Sequence, residues 1–366
     1  MKPNPRIAIN ALTLPRNLAG TGFYTRKLIE HLVALRPDLE ITLFTNRAAA
    51  EGLTDLKGLQ VHAVPAESII RKALWSQVFL PFRLSGFDLL HSVGNVGLLY
   101  CPIPQIVTIY DMCQRMVPDR FTPAKRAYLN AGQTWSAWTA AKVITTSEAT
   151  RKDLLRYHPG YGSRAVTIHC ASKYGIDRTD CPRKEGFLFV GTLEPGKRLE
   201  SALEALARLK VRHGVVKRLA VVGAKGWRHT HLPDLIRKLG VEDQVDFLGY
   251  LSDEELRQRY RSAECLIFPS VYEGFGLPIL EAQSQGCLVV SADNSSLQEV
   301  GGDASAHYFP THDLDALTAI LLRSQRDPEG FRALREAGYA NCLRFDWKTM
   351  AERTLEVYRG ALQKLD

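Results

Sequence analysis

Residues 268–286 read FPSVYEGFGLPILEAQSQG, and the order of residue types there decides the fold around them. The apolar run CLIF at 265–268 predicts a strand ending at Pro269. Glu273 opens a turn of Gly274, Phe275 and Gly276, and Leu277 and Pro278 lead into a helix, proline being at home in a first helical turn. Peptide N–H groups at such a helix start lack partners within the helix, so those of Gly274, Phe275, Gly276 and Leu277 are expected to bind an anion. The glycines let that backbone approach a ligand closely. Glu281 follows Glu273 with seven residues between them. It lies more than a turn down the helix, so the two carboxylates are expected to reach groups about 10 Å apart. A pyrophosphate flanked by a sugar and a ribose has such a span, and carboxylates accept hydrogen bonds from vicinal hydroxyls.

Outward from this unit the chain alternates strands with helices, which predicts a doubly wound α/β architecture. Towards the N-terminus, strands are expected at 6–10, 40–45, 89–92, 105–110, 142–146 and 165–169, with an amphipathic helix at 23–35 after a glycine-containing loop at 17–22. Ser147 is placed to cap the helix that begins EATRKDLL. Residues 172–186, rich in charge, Gly and Pro, read as a linker. A second alternation follows, with strands at 187–190, 219–222, 244–248, 265–268 and 288–291 and helices at 199–212 and 232–239. A long helix closes the chain at about 346–365. Two such halves imply a ligand cleft at the carboxyl ends of their strands.

The chain has 366 residues, 45% of them hydrophobic, enough for about two domains. No apolar run approaches the roughly 18–20 residues of a membrane span, and MKPNPRIAIN passes straight into a short strand rather than through a signal-peptide core. The seven cysteines are scattered and none forms a CxxC pair, which predicts a reducing, cytoplasmic setting with no disulfide framework and no zinc site. The net charge of +8 is uneven: residues 1–170 carry +9 and residues 171–366 carry −1. A basic N-terminal half suggests an anionic partner such as a lipid head group. Residues 67–84, ESIIRKALWSQVFLPFRL, place Arg71, Lys72 and Arg83 beside Ile70, Leu74, Trp75, Val78 and Phe79. That pattern suits a helix lying on an anionic membrane face, or one packed against a core.

The motifs together are more specific than any one of them. EGFGLPILE resembles the Glu–seven residues–Glu signature of the retaining glycosyltransferases of family four, which have the GT-B fold. FLFVGTLEPGKRLESALEAL is similar to the family's VGxLEPxKN segment, GTGFYTRKL to its GxGxYxxxL loop, and TTSEATRKDL to its SExxRxDL segment. LAVVGAKGW, VDFLGYLSDEELRQRYRSAECLIFPS and SLQEVGGDA also follow the family's order, so the resemblance covers nearly the whole chain. It implies an α/β protein of GT-B type, two Rossmann-like doubly wound domains with an interdomain cleft. Residues 1–175, joined by the C-terminal helix at about 347–366, would face the acceptor, and residues 183–346 would hold the nucleotide sugar.

The resemblance also implies roles. Lys197 would neutralise the leaving diphosphate, Glu273 would bind sugar hydroxyls near the reacting centre, and Glu281 would hold the ribose diol. Gly22 would let the first loop approach the β-phosphate. Gly223 would lie near the phosphate path, the backbone at Tyr250 and Leu251 would face the base, and Ser147 would lie near the cleft. Two positions depart from the pattern. Thr192 stands where many members have Arg, and Arg198 is the nearest replacement for that phosphate-binding cation. Tyr110-Asp111 stands where members show His-Asp, which predicts a sugar pocket altered near C6 and suited to a 6-deoxy sugar. His91 is a candidate acceptor-side group or a structural histidine.

The reaction implied is transfer with retention, the acceptor attacking from the face on which the diphosphate leaves, with closure about the linker and no metal or cofactor besides the donor. GDP-mannose is the first expectation for that donor, then UDP- and dTDP-sugars. A glycan or lipid-linked acceptor in surface polysaccharide assembly, at the inner membrane face, is the expected partner, and nucleic acid is not. Three rival readings exist. A nucleotide-sugar epimerase would isomerise without transfer. A dinucleotide oxidoreductase would need a G-x-G-x-x-G turn after the first strand, which the Gly20–Gly22 loop lacks. A non-catalytic binding protein would bind nucleotide without turnover.

Overall fold

The computed structural model describes residues 4–16, 18–179, 185–224, 226, 230–327 and 332–363. It divides into two compact units. The first comprises Met1–Arg115, Phe121–Cys170 and Asp346–Asp366, and the second comprises Met116–Arg120 and Ala171–Phe345. Met116–Arg120, inside the N-terminal stretch, therefore belongs to the second unit, and the first unit's central segment ends at Cys170 rather than at 175. Residues 180–184 of the expected linker lie outside the described residues.

The first unit is built on seven parallel strands: β1 (Arg6–Ala11), β2 (Glu40–Asn46), β3 (Leu59–Val64), β4 (Leu89–Ser92), β5 (Gln105–Ile109), β6 (Lys142–Thr145) and β7 (Ala165–Thr167). Their order is β3-β2-β1-β4-β5-β6-β7. The chain winds outward from β1 to β3, returns to β4 beside β1, and winds the other way. In such sheets the crevice lies at the carboxyl ends of the two strands where the direction reverses, here β1 and β4, which pair through Ile7↔Leu89 to Asn10↔Ser92. β4 and β5 are buried along their whole length, as parallel strands covered on both faces must be. β3 is an edge strand that alternates half-buried and exposed positions over most of its length, so its sequence shows no apolar run.

The Trp347–Leu362 helix is part of this unit and is capped by Asp346, which accepts from Thr349 N at 2.8 Å. Its Trp347 packs edge-on against Phe23 of the Thr21–Leu35 helix, ring centres 5.7 Å apart. His91 fastens it to the sheet: Nδ1 is 2.8 Å from Tyr358 Oη, and Nε2 is 2.8 Å from Thr108 Oγ1. Burial pushes the His91 imidazole down to about 3. The histidine is therefore neutral, fully buried and structural, the second of the two alternatives the sequence left open.

The second unit repeats the plan with six parallel strands: β8 (Phe187–Val190), β9 (Leu219–Val222), β10 (Val245–Gly249), β11 (Cys265–Phe268), β12 (Leu288–Ala292) and β13 (His307–Phe309), in the order β10-β9-β8-β11-β12-β13. Here the reversal falls between β8 and β11, paired at Cys265↔Phe187 and Leu266↔Leu188. Phe187, Phe189, Leu203, Leu206, Leu266 and Ile267 form the core around them; burying each such side chain stabilises by about 1.5–3 kcal/mol.

Candidate active site

The loop leaving β8 and the loop leaving β11 meet at the second unit's switch point. The first runs Gly191, Thr192, Leu193, Glu194 into a short 3-10 turn, Pro195–Lys197. A side chain on Gly191 would lie 3.5 Å from Lys197 Cδ, so the lysine stem folds back over the end of β8. Lys197 Nζ stands 2.5 Å from Glu273 Oε1 of the second loop, with side chains only 17% and 14% exposed, and 5.9 Å from the centre of the Phe268 ring. The backbone ties the loops together as well, Val271 N donating to Gly196 O at 3.0 Å. Arg120 pairs with Glu194 beside them.

The Glu273 turn is pinned from the opposite side. Ser295 Oγ accepts from Glu273 N at 3.0 Å, and Ser296 Oγ donates to the carbonyls of Glu273 and Phe275 at 3.0 and 2.9 Å. Asn294 Nδ2 donates to Ser270 O at 2.8 Å. The Leu277–Ser284 helix then starts behind Gly276, which sits at φ +100° with no side-chain cap and with proline in the first turn. A left-handed residue there requires glycine. Phe275 turns its ring inward, edge-on to Phe345 at 5.8 Å, so only its backbone is available to a ligand. Ser270 Oγ, at the exit of β11, is buried without a hydrogen-bond partner among the described residues.

Glu281 is not the open arm its spacing suggests. It is buried and accepts from Tyr260 Oη at 2.9 Å. Burial raises its carboxyl above the usual range. Its Oε1 accepts no hydrogen bond among the described residues and is the atom left for a ligand. Gly223 closes the end of β9: its N donates to Gly249 O at 2.8 Å, its φ is +150°, and a Cβ there would lie 2.0 Å from Gly191 O. Tyr250 is exposed after β10, and Leu251 packs partly on the core. Thr192 is exposed. Arg198 adopts the left-handed conformation, φ +54°, ahead of the Leu199–His213 helix, and its Nε is buried without a partner. Its side chain makes no ion pair among the described residues.

In the first unit a cavity of about 340 Å³ opens at the carboxyl ends of β1, β4 and β5. Asn10, Thr13, Asn95, Tyr110 and Asp111 line it from the sheet, Thr21 from the first helix, Lys72 and Gln77 from the helical segment 69–83, and Lys125 and Tyr128 from the Pro123–Thr139 helix. Tyr110 and Asp111 thus face the cavity, but Tyr110 Oη donates to Val93 O at 3.1 Å and stacks edge-on to Tyr24 at 5.3 Å. Burial, with Tyr24 beside it, raises this phenol well above its ordinary value. Its proton is directed to the Val93 carbonyl in this structure. Asp111 Oδ1 accepts from Cys113 N at 2.9 Å. Gly22 lies in the first turn of the Thr21–Leu35 helix, not in a loop, and its missing side chain leaves room for Leu18, 3.0 Å from where a Cβ would stand. Ser147 is buried and caps the Glu148–Tyr157 helix by accepting from Thr150 N at 3.0 Å.

Two family models match the chain in sequence. One, described as glycosyl transferase 4-like domain, matches residues 19–171. The other, described as glycosyl transferases group 1, matches residues 181–341. Together the two matches span most of the chain and identify it as a glycosyltransferase. Among similar proteins, the O-antigen chain mannosyltransferase B of Escherichia coli is 27% identical over 93% of this chain and 96% of its own. The MMP α-(1→4)-mannosyltransferase of Mycolicibacterium hassiacum is 25% identical over 98% and 99%. Among solved structures, that of Anabaena HepE in complex with UDP-glucose superposes with a TM-score of 0.78 at 18% identity, covering 97% of this chain and 99% of that one. The fold of this glycosyltransferase is therefore GT-B, with parallel sheets of seven and six strands.

Sequence reasoning missed the Pro123–Thr139 helix, and with it Lys125 and Tyr128. A signal was there: Thr122 followed by proline is a helix start, and Thr122 Oγ1 does accept from Lys125 N. Asn10, Thr13 and Asn95 carried no motif. Among the described residues no group of three or more His, Cys, Asp or Glu is arranged to hold a metal, and no helix is long and apolar enough to cross a membrane.

Proposed function

We propose that this glycosyltransferase moves a hexosyl group, mannosyl first, from a nucleoside-diphosphate sugar to a glycan or lipid-linked acceptor in surface polysaccharide assembly, with retention and without a metal. GDP-mannose is the preferred donor, with UDP- and dTDP-sugars next. The observation that carries the reading is the Lys197–Glu273 pair at the second unit's switch point. A cation aimed at the departing diphosphate supplies the charge that a metal supplies elsewhere, and the adjoining carboxylate accepts hydrogen bonds from the transferred sugar. The C–O bond to the diphosphate breaks while the acceptor oxygen bonds the same face of the anomeric carbon, and the acceptor proton passes to a departing phosphate oxygen. Glu281 Oε1 takes the ribose. Mannosyl transfer is favoured by the names of the two relatives that align along almost the whole chain. Contact with an anionic membrane is supported by the exposed apolar face of the helical segment 69–83, where Ile70 is 73% and Phe82 84% exposed.

The test is release of nucleoside diphosphate from GDP-, UDP-, dTDP- and ADP-sugars, with and without EDTA, beside a Glu273→Ala control. Hydrolysis of one donor, unaffected by EDTA and lost in the control, is expected. Equal release by the control, or dependence on a divalent ion, overturns the assignment. Anomeric configuration of a transferred product, read by NMR, checks retention.

A further inference from the structure

The first unit's cavity carries an arrangement that the donor chemistry leaves unused. Lys72 and Lys125 reach it from two different helical segments, and neither makes an ion pair among the described residues. Lys125 Nζ lies over the Phe121 ring at 5.4 Å. Lys72 is half-buried, and the loss of water around it lowers its ammonium below the ordinary lysine value. A half-buried cation without a counter-charge is costly, and an anion entering the cavity would relieve that cost. Among the described residues Asp111 is the only carboxylate on the lining, and its Oδ1 accepts from Cys113 N. Uncommitted donors stand nearby. Asn95 uses Oδ1 to accept from Tyr110 N at 2.7 Å, which leaves its amide N–H groups, and the Thr13 hydroxyl makes no hydrogen bond among the described residues.

We propose that this cavity is an anion subsite in which Lys72 and Lys125 hold a phosphate ester carried by the acceptor. The proposal rests on the reading of the protein as a glycosyltransferase whose first unit takes the acceptor. Lysine suits a phosphate as a mobile point charge, and about 340 Å³ is room for a sugar ring with its phosphate. Two sources present this chemistry, a lipid-linked phosphate and a soluble sugar phosphate. The fold favours the first. Lys72, Ala73, Ser76 and Gln77 line the cavity, while Ile70, Leu74 and Val78, one position round the same helical segment, form an exposed apolar stripe where a hydrocarbon chain can lie.

Binding to the full chain is measured by titration calorimetry and tryptophan fluorescence with farnesyl phosphate below its micelle concentration, farnesol, glucose 1-phosphate and glucose. Each phosphate probe is expected to bind about tenfold or more tightly than its neutral counterpart, since a hydrogen bond to a charged group contributes roughly 1.5–3 kcal/mol. Lys72→Ala and Lys125→Ala each remove most of that difference and leave the neutral probes unchanged, while Lys72→Arg keeps it. Tighter binding of farnesyl phosphate than of glucose 1-phosphate, reduced by Leu74→Ser, identifies the lipid-linked source. Equal binding, insensitive to Leu74→Ser, identifies the soluble one, and both keep the subsite. The proposal is overturned if phosphate and neutral probes bind alike, or if the two alanine variants, folded by circular dichroism, bind phosphate as the parent does. Donor hydrolysis without acceptor is followed in parallel. Hydrolysis that persists while phosphate and neutral probes bind alike sinks the subsite and leaves the transferase reading standing.

Discussion

Each unit places lysines at the carboxyl ends of its sheet, and the two sets are held in opposite ways. In the second unit Lys197 meets Glu273 at 2.5 Å, and Arg120 beside it meets Glu194. In the first, Lys72 and Lys125 face a cavity, and among the described residues no carboxylate pairs with either. A paired lysine keeps its charge and its position with no ligand present, at the cost of having to share that charge when a phosphate arrives. An unpaired one waits for its counter-ion and discriminates strongly between anionic and neutral ligands. Under the proposed function the comparison assigns preorganised charge to the unit read as stabilising the leaving diphosphate, and ligand-dependent charge to the unit read as taking the acceptor.

The sharpest way to break the comparison is to dismantle the pair. Lys197→Ala is expected to lower donor turnover by roughly 10²–10³-fold, the range for losing one group that stabilises developing charge. It also strands Glu273 in a largely buried place, so the unfolding temperature should fall. The double variant Lys197→Met with Glu273→Gln removes both charges. It should recover stability while turnover stays low. Turnover at the parent level in the double variant would mean that the pair serves the fold alone.

The second unit's site was legible in sequence because its residues are local to their motifs: Lys197 and Glu273 each follow a buried strand by a few residues, and the glycines announce the turns. Glu281 was legible as a position and not as an environment. Tyr260, whose hydroxyl holds it, lies on the Asp253–Ser262 helix, and no local pattern links the two. The first unit's cavity was almost illegible, since Asn10, Lys72, Asn95 and Lys125 come from four separate elements and loops and meet only through the strand order. Tyr110 shows the limit from the other side. Its place beside Asp111 suggested a ligand contact, whereas its hydroxyl is committed to Val93 O by a backbone path no motif reveals.

Polar burial also differs between the units, and pH separates the two kinds. His91 of the first unit is neutral, with its folded value pushed down to about 3. Below the unfolded value of about 6.5 the unfolded chain binds a proton that the folded one refuses. Stability is therefore full above that value and is lost as pH falls towards 3. Between pH 7 and pH 4.5 this one group should remove roughly 2–3 kcal/mol. In His91→Gln, compared with the parent by urea unfolding at both values, the pH-dependent loss should shrink by that amount. An unchanged loss would show that His91 takes up a proton in the folded state.

Glu281 has the opposite sign. Burial raises its folded value above the unfolded one, so its contribution to stability is full below the unfolded value and is lost as pH rises through the folded one. Where it is ionised, the buried carboxylate is a cost. Glu281→Gln keeps an acceptor for Tyr260 and removes that cost, so the variant should be no less stable than the parent at pH 7. It should bind nucleoside diphosphate roughly tenfold more weakly, through loss of a charged acceptor. Unchanged nucleotide affinity would make Glu281 a packing residue held by Tyr260.

The smallest expected effect on the fold tests the surfaces. Exposed large apolar side chains of the first unit gather on connected elements: Gln77 of the helical segment 69–83 bonds Gly97 O and Leu99 N, and Trp135 Nε1 donates to Leu99 O at 2.8 Å. Those of the second unit, such as Val211, Phe247 and Leu343, sit on separate elements. Phe82, 84% exposed, packs little against its own chain, and a surface substitution of that kind usually changes stability by less than about 0.5 kcal/mol. Phe82→Ser should therefore melt with the parent. If the face meets an anionic bilayer, the same variant, and Trp138→Ser beside it, should co-sediment less with vesicles containing phosphatidylglycerol, while binding to pure phosphatidylcholine vesicles is weak for all. A melting point well below the parent's would place Phe82 in the core instead. Vesicle binding unchanged in both variants would leave the basic residues of that segment, Arg71 and Arg83, to act without the apolar face.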